Sequence, residues 1–301
     1  MTTADFRCSA ASLAATEPLE GTASTVRSFL LLETPGPWGV HAIREARLPE
    51  EVRSRLREVE RQGVRPLLVR RPGRRRGAGG PVRVFAVRAG DREPTAESAH
   101  LPDVLGLLDL PLDELARGRS IGLDPHPGPL FLVCTHGRHD TCCAELGRPL
   151  AAALADAAPD ETWEVSHIGG DRFAPNVLVL PHGLYYGRLL PAEAQELVAA
   201  HRAGRLDLEH LRGRSAYPFA VQAAEIQLRR HLDLHDVGAL PLVSRDTDGE
   251  VTTAVFQVAG DRWRVRVRTR RSEPTRLTCR ATKDSTGLTH TLVDVAATGD
   301  A

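Results

Sequence analysis

The sequence predicts an α/β protein, two tandem β-α-β-β-α units followed by a small α+β module. Three observations carry this. Short apolar runs of strand length alternate with helical stretches, the same order of elements returns after the proline-rich joint LDPHPGP, and from about Tyr217 one helix gives way to strands alone. The corresponding limits are 1–125, 126–216 and 217–301, and 301 residues suffice for several cores of ordinary size.

The opening stretch to about Ala23 has weak periodicity and reads as a loose arm. SFLLLE is a short apolar strand and PGPWG a turn, while PEEVRSRLREVERQG sets Val52, Leu56 and Val59 on one helical face. Two strands follow, RPLLVRR and VRVFAVRAG, split by the basic hairpin loop PGRRRGAGG, and a segment between Leu101 and Arg117 closes the unit as helix. The second unit repeats the order: LFLVCTHG strand, AELGRPLAAALADA helix, TWEVSHIGG and NVLVLPHG strands, AEAQELVAAHRAG helix. This is the order of a thioredoxin-like core, so the fold class is tandem thioredoxin-like units plus the α+β module. In that module the helix VQAAEIQLRRHLDL precedes strands ALPLVSR, VTTAVFQVAG, RWRVRVRTR, RLTCRAT and THTLVDV. Val265 and Val267 alternate with arginines in RWRVRVRTR, which predicts one buried and one solvated face.

Composition narrows the function. Thirty-nine basic residues balance 39 acidic ones, so no overall field favours nucleic acid or an anionic membrane, and neither is expected as a partner. The start lacks a basic segment followed by an apolar run, and no stretch approaches ~18 uninterrupted apolar residues, so a cytoplasmic protein is expected. Five cysteines are too few for a disulfide scaffold, yet Cys134, Cys142 and Cys143 crowd together. In a reducing compartment that crowding points to metal or redox chemistry.

In CTHGRHDTCCAELG, Cys134 ends a strand and Cys142 and Cys143 start the next helix, where backbone N–H groups favour thiolate. SHIGGDRFAPN, after a strand of the same unit, offers His167 and Asp171, and Gly169 and Gly170 let the chain fold closely around whatever both face. Thiolates with imidazole suit zinc or iron–sulfur over magnesium or calcium, and spacing alone does not choose between them. Cys8 and Cys279 stand isolated and read as structural. LLETPGPWG holds in the first unit the place of CTHGRHDTCC but offers no thiol, which makes that half a scaffold.

RCSAAS, LLETPGPWG, FLVCTHGRHDTCCAELG and SHIGGDRFAPNVLVLPHGLYYGRL together resemble the sucrase/ferredoxin-like family, related to thioredoxin-like [2Fe–2S] ferredoxins. The resemblance implies a [2Fe–2S] cluster with Cys134 and Cys143 as the first two ligands and His167 as the third. Relatives with two histidines read His-x-Gly-Gly-His, and here Asp171 stands at the last place, so the fourth ligand is Asp171 or else Cys142, Cys279 or another group. An electron carrier or redox sensor serving a redox partner protein is then expected rather than a self-sufficient enzyme. Glycoside hydrolysis is not supported, because no motif presents two carboxyl groups across a bond. The rival expectations are a thiol–disulfide oxidoreductase using Cys134 with Cys142 or Cys143, and a zinc-stabilised binding module.

Overall fold

The computed structural model describes residues 6–73, 80–90 and 92–298. Helix α1 (Cys8–Ala14) opens the fold. The expected loose arm is therefore folded: Cys8 and Ser12 are buried, and the amides of Gly21 and Thr22 donate to the Arg212 carbonyl at 2.9 and 3.2 Å. Two helical turns are too short to display a 3.6-residue period, which is why the sequence did not reveal them.

The first unit runs β1 (Ser28–Glu33), α2 (Glu50–Arg61), β2 (Val64–Arg70), β3 (Val82–Arg88), β4 (Thr95–Leu101), α3 (Leu112–Ala116) and a short β5 (Asp124–Pro125). Between β4 and α3 lies a 3-10 stretch, Val104–Asp109, so the expected closing helix is two short pieces split by a proline. Positions 74–79 of the expected loop PGRRRGAGG fall outside the described residues. The second unit runs β6 (Leu130–Cys134), α4 (Thr141–Ala157), β7 (Thr162–Val165), β8 (Asn176–Leu180), β9 (Leu184–Gly187), α5 (Ala194–Arg202) and β10 (Leu211–Arg214).

All ten strands form one sheet in the order β10-β9-β8-β6-β7-β2-β1-β3-β4-β5. From its centre outward, each half has the same arrangement. β1 is parallel to β2 and β6 to β7, because each pair is joined through a crossover helix, and the remaining pairings are antiparallel. The halves meet where β2 and β7 pair antiparallel, with Val69 opposite Val165 and Arg70 opposite Glu164. That junction puts the loops following β1 and β6 side by side.

Burial explains the layers. Val52, Leu56 and Val59 of α2 cover Leu30, Leu32 and Leu68, while Leu150 and Leu154 of α4 cover Phe131 and Val133. The alternate residues, among them Phe29, Leu31, Val69, Leu132, Cys134 and Val165, build one continuous core across the junction. Each such aliphatic or aromatic side chain contributes roughly 1.5–3 kcal/mol on full burial.

Helix α6 (Phe219–Leu232) follows, then β11 (Leu242–Asp248), β12 (Val251–Val258), β13 (Asp261–Arg271) and β14 (Leu288–Ala297), a separate four-stranded antiparallel sheet in sequence order. Val265 and Val267 pack with Phe256 under Val221 and Leu228, whereas Arg264 and Arg266 face outward and meet Asp294 at 3.6 and 3.0 Å. Glu225 of α6 lies buried between Arg214 and Arg229 at 3.1 and 3.0 Å, which ties α6 to the edge strand β10. The expected strand RLTCRAT is not one. Residues 272–287 form a loop with a single bridge, Thr275 to Ser285, and carry Cys279 back to the start of α4. Among the described residues no helix is long and apolar enough to cross a membrane.

Candidate metal centre

The site begins where β6 ends at Cys134. The Asp140 carboxylate caps α4 by accepting from the Cys142 amide at 2.9 Å, so Cys142 and Cys143 occupy its first turn. Successive helical residues diverge by about 100°, so these two thiols face different neighbours. Gly147, one turn further along α4, lies against the Cys134 carbonyl, where a Cβ would overlap the oxygen.

The second half of the site is the turn after β7. Gly169 and Gly170 have φ of +97° and +79°, which other residues adopt only with strain. Buried Arg212 fills the space a side chain at Gly170 would need and donates to Gly169 O (3.0 Å), Asn176 Oδ1 (2.8 Å) and Thr22 O (2.6 Å). His136 completes the positioning. Its Nε2 donates to Gly39 O at 2.6 Å, and its Nδ1 accepts from the His167 amide at 3.2 Å. The first unit thus closes over the site of the second through the loop after β1.

These elements bring Cys134, Cys143, His167 and Asp171 together. Cys143 Sγ lies 3.3 Å from Asp171 Oδ1, His167 Nδ1 lies 3.0 Å from the same oxygen, and Cys134 is near enough to both Cys143 and His167 to be influenced by each. Cys134 and Cys143 are each 1% exposed and Asp171 4%. Sequence reasoning did not assign His139 to this site. Its ring stacks on His167 with centroids 3.7 Å apart, and its Nε2 lies 3.6 Å from Asp171 Oδ2. Its place four residues before Cys143 was the available signal.

The electrostatics follow from the contacts. The hydrogen bond from Cys143, aided by His167 against the cost of burial, holds the Cys134 thiol well below its ordinary pKa, and the same bond and burial push Cys143 up. Burial would lower His167, but Asp171 and Cys134 outweigh it and raise the imidazole to about 9. Asp171 is held low despite burial by the same histidine. These contacts favour the thiolate of Cys134, the imidazolium of His167 and the carboxylate of Asp171.

Cys142 turns to a different group. Its Sγ lies 3.3 Å from Cys279 Sγ, which lies 3.5 Å from Cys8 Sγ, so the two cysteines read as isolated are neighbours in space. Asp140 joins them, accepting from the Cys279 amide at 2.7 Å and standing 3.6 Å from Cys8 Sγ. Two groups of side chains close enough to share a metal ion thus lie near the start of α4, one of Cys8, Asp140, Cys142 and Cys279 and one of His139, His167 and Asp171.

The four predicted residues suit a [2Fe–2S] centre in their chemistry. Two buried thiols supply soft ligands, and His167 Nδ1 is buried yet lies off the hydrogen-bonding direction of the Asp171 oxygen beside it, leaving it without a hydrogen bond. A cavity of about 350 Å³ opens next to His139 and His167 and is bordered by Arg57 and Arg65.

Three solved structures match part of the chain. A thioredoxin-like [2Fe–2S] ferredoxin from Aquifex aeolicus is 19% identical over 31% of this chain and 97% of its own, with a TM-score of 0.27. Two cysteine-to-serine variants of the Aquifex aeolicus protein are 20% identical over 28% of this chain and 97% of theirs, with TM-scores of 0.24. Scores this low bear on neither fold nor function. None of the curated proteins matches. The sucrase/ferredoxin-like family model matches residues 19–213, a span that takes in both halves of the ten-stranded sheet and every residue of the Cys134 site, and the chain belongs to that family.

Proposed function

We propose that the protein is a one-electron carrier or redox sensor holding a [2Fe–2S] cluster on Cys134, Cys143, His167 and Asp171. The convergence of two buried thiols, an imidazole and a carboxylate from two separate turns carries this reading. Such a cluster supplies reversible one-electron chemistry, with a potential set by ligand charge and solvent access.

The chain's own residues prepare the site. Cys134 and Cys143 bind, His167 binds or keeps a proton beside Asp171, and Asp171 adds negative charge. Arg212 and His136 hold the His167 turn in place, and β6 with α4 excludes water from the thiols. The cavity beside His139 and His167 gives a redox partner protein its nearest approach, and five free thiols suit a cytoplasmic setting.

A second reading is thiol–disulfide chemistry, favoured by the contact between a low-pKa Cys134 and Cys143. Anaerobic purification of serine variants separates the two. Cys134→Ser or Cys143→Ser should abolish visible absorbance, while Cys142→Ser should retain it. Equal loss in all three would show the ligand choice to be wrong, and colourless wild-type protein would favour the thiol reading.

A further inference from the structure

We propose that Cys8, Cys142 and Cys279, together with Asp140, bind one zinc ion. The three thiols come from α1, the first turn of α4 and the 272–287 loop, segments more than 130 positions apart in sequence, and they converge on one another. Cys142 Sγ to Cys279 Sγ is 3.3 Å, and Cys279 Sγ to Cys8 Sγ is 3.5 Å. Tetrahedral zinc with Zn–S bonds of about 2.3 Å separates its sulfurs by about 3.8 Å, so a few tenths of an ångström of expansion would seat the ion.

The surroundings complete a closed site. Cys8, Cys142 and Asp140 are buried, and half-buried Cys279 leaves an entry path. Each Asp140 oxygen accepts one backbone N–H, from Cys142 and from Cys279, and keeps a further lone pair for a metal. The Ser9 hydroxyl donates to Cys142 Sγ at 3.1 Å, the kind of outer hydrogen bond that orients a metal-bound thiolate. Three soft sulfurs and one oxygen, with no open position, match a structural zinc site rather than a catalytic one.

Loading exchanges three thiol protons for three Zn–S bonds and moves no electron. A disulfide would instead join only two of the three sulfurs and require an oxidant. The ion would staple α1 and the 272–287 loop to the start of α4, beside the turn that carries Cys143.

The test is metal analysis of the full chain purified without oxygen. One zinc per chain is expected in wild type and in Cys134→Ser, so the count stands apart from the fate of the iron. Cys279→Ser and Cys8→Ser should fall below about a tenth of that zinc while keeping the iron-dependent absorbance of wild type. Cys279 sits in a half-buried loop, so that variant serves should Cys8→Ser fail to fold. Zinc unchanged in Cys279→Ser, iron in place of zinc in Cys134→Ser, or all three thiols alkylated freely in native wild type would each overturn the proposal. Loss of visible absorbance in Cys279→Ser with retention in Cys134→Ser would also overturn it, by placing the iron on this thiol group.

Discussion

Asp171 is the residue at which this chain departs from relatives with a second histidine. Its carboxylate faces Cys143, His167 and His139, and among the described residues it caps no backbone amide of its own turn. The side chain therefore faces the site and does not cap the loop. A ligating carboxylate adds negative charge that neutral imidazole would not, which stabilises the oxidised centre and lowers its potential. Asp171→His should raise the midpoint potential, on the order of 100 mV, and steepen its dependence on pH, because a second imidazole can take a proton on reduction. Asp171→Asn removes the charge and keeps the shape. A redox titration of the three proteins across pH checks this, and identical potentials would remove Asp171 from the ligand set.

At the scale of elements, the site depends on how closely α4 lies on β6. Alanine at Gly147 would gain about 1 kcal/mol of helix propensity, but its Cβ would overlap the Cys134 carbonyl, and overpacking of that kind costs typically 1–3 kcal/mol. The clash wins because backbone cannot swing aside. Gly147→Ala should lower the melting temperature by several degrees and reduce iron per chain by separating Cys134 from Cys143. Wild-type melting and iron content would contradict the account. Elements of this size were legible in the sequence where they buried one face: Val52, Leu56 and Val59 on α2, and the valine–arginine alternation of β13, are periodic because one side meets a core. Helix α1 and the 272–287 loop were not legible. Their places are fixed by single contacts across the whole chain, Cys8 and Cys279 to the start of α4, and such contacts leave no periodic trace. The same reason hid Arg212, whereas CTHGRHDTCC and SHIGGDRF, short and dense in ligand side chains, pointed directly to the Cys134 site, with His136 and His139 inside the first.

At the scale of the whole molecule, two half-buried histidines make the fold sensitive to acid. Burial, aided by the charge of Arg214, lowers His182 to about 4, and burial with His182 nearby lowers His201 to about 4. Both lie below the unfolded value near 6.5, so between pH 6.5 and 4 the unfolded chain binds protons that the folded one refuses, and stability falls as pH falls. The shift from 6.5 to about 4 corresponds to at most about 3 kcal/mol for each residue. Denaturant unfolding at several pH values in this window should show the decline, and His201→Gln should flatten it; an unchanged slope would exclude His201 as a source. The proposed [2Fe–2S] centre lies at the junction of β6, α4 and the His167 turn. Its most direct test is an electron-paramagnetic-resonance spectrum of anaerobically purified protein after one-electron reduction, taken with iron and acid-labile sulfide analysis. About two irons and two sulfides per chain and a single S = 1/2 signal are expected; protein without sulfide, or with one iron and no such signal, would overturn the [2Fe–2S] assignment.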